Sequence, residues 1–167
     1  LSSSKNIPNI LAALKRVNIS QRQRICILIC GEPEKGYEST LYSSINEAEK
    51  KYPEVHFVKH FRFFNPSDTN EVFKIVDIVL VPYINFFSSS NILGLAAKYS
   101  KPLIASNLGV MEGLVNQYKL GITVSPHRPE AIAEAMNMYL NQALVTIDGK
   151  QYLEDHSAAV FCQKLLF

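Results

Sequence analysis

The sequence predicts an α/β domain: a parallel sheet flanked by helices. Short apolar segments rich in β-branched residues alternate with segments of helical period along nearly the whole chain. None of the apolar segments alternates cleanly between polar and apolar residues, which is the pattern of strands covered on both faces. Repeated strand–helix units of this kind build parallel sheets with right-handed crossovers. With 167 residues the chain reads as a single domain, 1–167, long enough to bury one sizeable core.

The elements follow in order. Asn6 stands as a helix cap with Pro8 in the first turn, and Ile10, Leu11, Leu14 and Val17 form one apolar stripe. A strand is expected at 25–30, then a helix at 38–52 with the stripe Leu41, Ile45, Ala48 and Tyr52. A second strand at 55–58 leads to a short helix at 68–76, opened by Asn65-Pro66-Ser67. Next come a strand at 78–81 and a helix at 91–99 that is small and apolar throughout, hence buried. Strands at 103–106 and 121–124 precede a helix at 129–140 carrying Ile132, Ala135, Met136 and Tyr139. A surface turn at 146–150 and a last helix from about 151 to 166 complete the pattern. The pattern opens on a helix, whereas a doubly wound sheet usually opens on a strand whose following loop holds phosphate. A truncated first strand, with Leu1 as its tail, is therefore expected.

Composition excludes several classes. A net charge of +2 is too small to point to nucleic acid or a membrane surface. No run of apolar residues is long enough for a transmembrane helix, and residues 1–5 lack the layout of a signal peptide. Cys26, Cys30 and Cys162 are an odd set without framework spacing, so no disulfide scaffold is expected. Cys26 and Cys30 read as buried thiols of a core strand. The four histidines show no metal-ligand spacing, and neither a metal nor a cofactor is expected. A reducing, cytoplasmic compartment fits this cysteine usage.

In an open parallel sheet, ligands sit beyond the carboxyl ends of the strands. The loop after residue 81 is the most informative of these, because Ser88, Ser89, Ser90 and Asn91 lead into the buried helix. A helix start offers unpaired N–H groups and a positive dipole end, a setting that suits phosphate. A plain cap with solvent-facing serines accounts for the same residues. Gly31-Glu32-Pro33-Glu34-Lys35-Gly36 echoes a glycine-rich loop but lacks the Gly-Lys-Ser/Thr ending of a P-loop, and it reads as a turn.

The stretch 78–124 resembles the C-terminal domain of family 4 GT-B glycosyltransferases. The matching pieces are Asp77, Leu80-Val81-Pro82-Tyr83, Ser89-Ser90-Asn91-Ile92-Leu93, Lys101-Pro102-Leu103-Ile104, Gly109 and Gly121-Ile122-Thr123-Val124. Lys5-Asn6-Ile7-Pro8 resembles the Lys-containing start of the family's first helix, the helix from Pro129 its following one, and His156-Ser157 with Phe161 its closing helix. The resemblance implies one Rossmann-like GT-B half that binds a nucleotide-diphosphate sugar and serves a retaining glycosyltransferase in polysaccharide or glycoconjugate synthesis. It implies that Lys5, Ser89 and the backbone amides of Ser90, Asn91 and Ile92 hold the diphosphate. It places the base against Phe61, Arg62 and Phe63. Lys5 and Arg62 as solvated surface charges are the plainer alternatives. The resemblance also implies a partner N-terminal domain with the acceptor site, which these 167 residues do not contain; the chain alone is then expected to be inactive.

The sequence departs from the family pattern at several places. Many members carry two Glu residues eight positions apart near the buried helix, and here these positions fall at Leu95 and at Phe87 or its neighbour. Gly113, preceded by Glu112, replaces the Glu after the glycine turn, and Ser2, Ser3 and Ser4 stand where an Arg often precedes the Lys. A weaker or differently held donor, or an inactive homologue, follows from these departures. The loss of paired carboxylates disfavours a GT-B nucleotide-sugar epimerase. A non-catalytic nucleotide-binding α/β module is the other alternative, although a receiver-like form lacks its acidic cluster and strand-end Asp.

Overall fold

The computed structural model describes residues 1–85, 90–141, 146–157, 160 and 162. Helices are α1 (Ile7–Ala13), α2 (Ile19–Arg22), α3 (Glu38–Lys51), α4 (Pro66–Ile75), α5 (Asn91–Lys98), α6 (Gly109–Gln117), α7 (Pro129–Leu140) and α8 (Lys150–Asp155). Strands are β1 (Cys26–Cys30), β2 (His56–His60), β3 (Val79–Val81), β4 (Leu103–Ser106) and β5 (Gly121–Val124).

All strand pairs are parallel, as the alternating pattern predicts. They form two sheets among the described residues, β1-β2 and β3-β4-β5, where one was expected. Residues 1–4 lie between the two sheets at their carboxyl ends. Leu1 O accepts from Glu34 N at 2.8 Å just after β1, and Ser4 O accepts from Ile84 N at 3.0 Å just after β3. A short 3₁₀ turn over Ser3–Lys5 then feeds α1. β1 and β3 are thus joined at this end by turn hydrogen bonds and not by a ladder.

One helix layer spans both sheets. α1 packs between α3 and α7. Leu11 and Leu14 from the first segment, Leu41 and Ile45 of α3 and Ile132 of α7 join Ile27 and Ile29 of β1 and Ile104 of β4 in one core. Each such side chain, fully buried, stabilises the fold by about 1.5–3 kcal/mol relative to exposure. The opposite face of β3–β5 is covered by α4, α5, α6 and α8 through Phe73, Leu93, Ala96, Met111, Val115 and Tyr152. Among the described residues this second layer does not reach β1 and β2. Cys26 is exposed, Cys30 half-buried and Val58 38% exposed, so the two thiols are not core residues as the apolar run suggested. The physical reason is that their side chains share the uncovered face: Cys26 pairs with His56, Leu28 with Val58 and Cys30 with His60.

Several boundaries shift for local reasons. α4 begins two residues before expectation because Asn65 caps it: its side chain accepts from Asp68 N at 2.9 Å, and the Asp68 carboxylate accepts from Asn65 N at 3.4 Å. β2 lies further along than 55–58, its register fixed by β1. α6 was not foreseen, since Gly109 read as a turn and Gly113 lowers helix propensity, yet Met111 and Val115 are spaced to bury one face. Gly149, expected at the surface, is buried against the backbone of Ala97 in α5. α8 ends at Asp155, and most of the helix expected beyond it lies outside the described residues.

Candidate functional site

The carboxyl ends of β2, β1 and β3 form one rim stitched by main-chain hydrogen bonds. Gly31 N and Arg62 N both donate to His60 O at 3.1 Å, which links the ends of β2 and β1. Residues 1–4 continue the rim from β1 to Ile84 beyond β3. Lys5 follows directly. It is only half-buried, and its ammonium stands 4.0 Å from the centroid of the Tyr83 ring. Burial lowers its pKa from the ordinary lysine value. Tyr83 is 7% exposed, and its phenol is pushed up to about 12 by burial, with a side-chain hydrogen bond to Ser90 opposing the shift. The phenol therefore stays neutral near pH 7 and acts as a rigid platform. A cation over an aromatic face is attracted by about 0.5–2 kcal/mol.

Ser90 caps α5. Its Oγ accepts from Ile92 N at 3.4 Å and its carbonyl from Leu93 N at 3.0 Å. The sequence expectations for Lys5 and Ser90 thus fall in one cluster bridged by Tyr83, with Asn91 the next residue along. The Ile92 amide, expected to face a diphosphate, is engaged by the cap, although at 3.4 Å the bond is long and exchangeable. Ser89 lies outside the described residues. Leu95, where the family resemblance implies a Glu in many members, packs against the second core. A cleft of about 240 Å³ opens beside the start of α5, lined by Ser90, Asn91, Gly94, Tyr152, Leu153 and His156. His156 stacks on Tyr152 with ring centroids 4.2 Å apart, and its Nδ1 lies 2.9 Å from Tyr152 O.

Phe61, Arg62 and Phe63 stand at the β2 end of the rim. Phe61 is half-buried, with its ring 5.1 Å from that of Tyr42. Phe63 is 73% exposed. Arg62 is a solvated side chain paired with Asp68 at 2.6 Å and lying over Phe64 at 4.5 Å. Its hydrogen bond to Asp68 raises the guanidinium pKa, and the same bond lowers that of the carboxyl. The rim places this segment on the same edge as Lys5. Tyr83 and Asn6 carry the cluster's geometry, and neither was assigned a site role from sequence. Tyr83 was legible only as part of the Pro82-Tyr83 strand end, and Asn6 as a helix cap.

The sequence pattern of the glycosyl transferases group 1 family matches residues 1–151. The chain belongs to the glycosyl transferases group 1 family. It is 31% identical over 119 residues to D-inositol 3-phosphate glycosyltransferase of Corynebacterium glutamicum, covering 69% of this chain and 27% of that protein. It is 27% identical over 139 residues to the Corynebacterium urealyticum protein of the same name, covering 80% of this chain and 31% of the relative. The chain thus spans less than a third of the length of these curated relatives. Among solved structures it is similar to Anabaena HepE in complex with UDP and glucose, with a TM-score of 0.81 at 16% identity over 99% of this chain and 45% of that one. It is also similar to WaaG, a glycosyltransferase involved in lipopolysaccharide biosynthesis, with a TM-score of 0.72 at 16% identity over 93% of this chain and 40% of that one. These structural likenesses establish the GT-B Rossmann-like fold of this family member. Among its described residues, no helix is long and apolar enough to cross a membrane.

Proposed function

We propose that this domain binds the nucleotide-diphosphate sugar donor of a glycosyltransferase that passes the sugar to an acceptor hydroxyl with retention. The observation that carries this is the cluster of Lys5, Tyr83 and the start of α5 at the carboxyl end of β3, where an open parallel sheet binds ligands. Transfer breaks the bond between the anomeric carbon and the donor's diphosphate oxygen, and negative charge grows on the leaving group. The Lys5 ammonium and the amide groups of Ser90, Asn91 and Ile92 stabilise that charge, helped by Ser89 and by a site dry enough to strengthen each interaction. The base rests on the rim at Phe61, Arg62 and Phe63. UDP is the first nucleotide to test, since HepE is described in complex with it. The acceptor site and the catalytic polar group belong to an N-terminal GT-B domain, so these 167 residues bind donor without turning it over. The whole enzyme serves polysaccharide or glycoconjugate synthesis in the cytoplasm.

A thermal-shift screen against UDP, GDP, ADP and their sugars tests this function. Stabilisation by one nucleoside diphosphate, lost in Lys5→Ala, is the expected outcome. A folded protein indifferent to all three overturns the donor role, and sugar transfer by the 167-residue chain overturns its dependence on a second domain.

A further inference from the structure

Asn6 is 3% exposed, and with Ser106 it makes up the buried polar residues among those described. The sequence assigns it a capping role, yet its side chain accepts no hydrogen bond from α1. Its backbone is left-handed, with φ 60° and ψ 29°, a conformation that Asn tolerates better than most residues. In that conformation its carboxamide points away from the helix. Nδ2 donates to Pro82 O at 2.8 Å and to Pro126 O at 2.7 Å, so both amide hydrogens are used. Pro82 follows β3 and Pro126 follows β5. One side chain therefore ties the residue after Lys5 to the loops beyond two strands. On the other side of Lys5, Ser4 O holds Ile84 N at 3.0 Å. Lys5 is pinned through both neighbours, and the loop that holds Asn6 also carries Tyr83, the ring beneath its ammonium.

We propose that Asn6 is a positioning residue: its two hydrogen bonds fix the place of the Lys5 ammonium over Tyr83 and thereby preorganise it for an anionic ligand. The ligand part of this inference rests on the donor-binding function proposed above; the positioning part does not. A group fixed in advance loses less freedom when the ligand arrives.

Asn6→Gly separates the two contributions of the residue, since glycine keeps the left-handed backbone and lacks the amide. Asn9→Ala is the control: Asn9 also donates to Pro126 O, at 3.1 Å, but does not adjoin Lys5. The ligand-free readout is NMR of the Lys5 ε-methylene protons, which the Tyr83 ring shifts upfield and which Tyr83→Leu assigns. Asn6→Gly is expected to remove most of that shift, and Asn9→Ala to leave it. Retention of the shift in Asn6→Gly, or equal loss in both variants, overturns the proposal. The second readout is a calorimetric cycle with UDP. Asn6→Gly is expected to weaken binding about fivefold when Lys5 is present and less than twofold in a Lys5→Ala background, because the two residues act as a unit. Equal weakening in both backgrounds means that Asn6 is only a structural staple, and overturns the proposal. If the wild-type protein binds no nucleotide, the donor function falls, and the proton shift alone decides the positioning role. Should Asn6→Gly not fold, Asn6→Asp, which keeps the shape and replaces the donating amide by an accepting oxygen, takes its place in both measurements.

Discussion

Replacing Gly149 by Ala tests the packing that forms one wall of the candidate site. Gly149 precedes α8 with φ −85° and ψ 3°, a conformation open to any residue, so the substitution adds steric conflict alone. A Cβ there would lie 2.4 Å from Ala97 Cα and O and 2.6 Å from Ala97 C, where ordinary contact begins at 3.4 Å. The backbones must part by about 1 Å, and neither side yields easily. α5 is held by Leu93 and Ala96, both 0% exposed, and α8 by Tyr152, 6% exposed. The obstacle is main chain, which places the cost near the upper end of the overpacking range, about 3 kcal/mol. For a domain of this size that corresponds to a fall in melting temperature of about 6–12 °C. Gly113→Ala in α6 is the matched control, because its Cβ would meet nothing within 4 Å. It is expected to stabilise the helix by about 0.5–1 kcal/mol. Thermal unfolding followed by circular dichroism reads both. A Gly149→Ala protein melting within a degree of wild type refutes the close approach of α8 to α5, and with it the cleft beside Ser90.

Other consequences are equally direct. Ile104→Ala removes a fully buried side chain that faces the α1–α3–α7 layer, and a loss of about 2–5 kcal/mol in urea unfolding is expected; a loss below about 1 kcal/mol would contradict the shared core. Under native conditions a thiol reagent is expected to label Cys26 well before Cys30, which is half-buried and whose thiol pKa is raised by burial; the reverse order would contradict the greater burial of Cys30. The lowered pKa of Lys5 carries a definite sign: between its folded value and 10.5 the unfolded chain binds more protons, so this group makes stability rise with pH across that window. Lys5→Met is expected to remove that contribution, and identical pH slopes in the two proteins would show that Lys5 is solvated.

Much of the architecture was legible because burial imposes periodicity. The stripe through Leu41, Ile45 and Ala48 gave α3, and the short apolar runs gave five parallel strands, since those residues face packed neighbours. The sheet division was not legible. Strand pairing is a non-local property, and nothing in the run around Cys26 and Cys30 tells that one face lacks a cover. α6 was hidden because Gly113 costs the helix in propensity but nothing in packing. In the site, the residue types around Ser90 were readable from a loop that enters a buried helix. The role of Tyr83 beneath Lys5 was not, because 78 positions separate them and only the fold joins them. Asn6 was misread for a related reason. It does stand at the N-cap of α1, but its side chain accepts from no helix amide, because its Nδ2 donates to the carbonyls of Pro82 and Pro126 and so orients the carboxamide toward those loops.

The central claim is that a nucleoside diphosphate binds where Lys5, Tyr83 and the start of α5 meet. Titration of the ¹⁵N-labelled protein with UDP, followed through its amide resonances, tests this residue by residue. Shifts concentrated at Lys5, Asn6, Tyr83, Ile84 and from Ser90 to Leu93, extending along the rim to Arg62, are the predicted result. Shifts confined to other surfaces, such as the face of α3 around Tyr42 and Asn46, or no shifts at millimolar UDP, would contradict it.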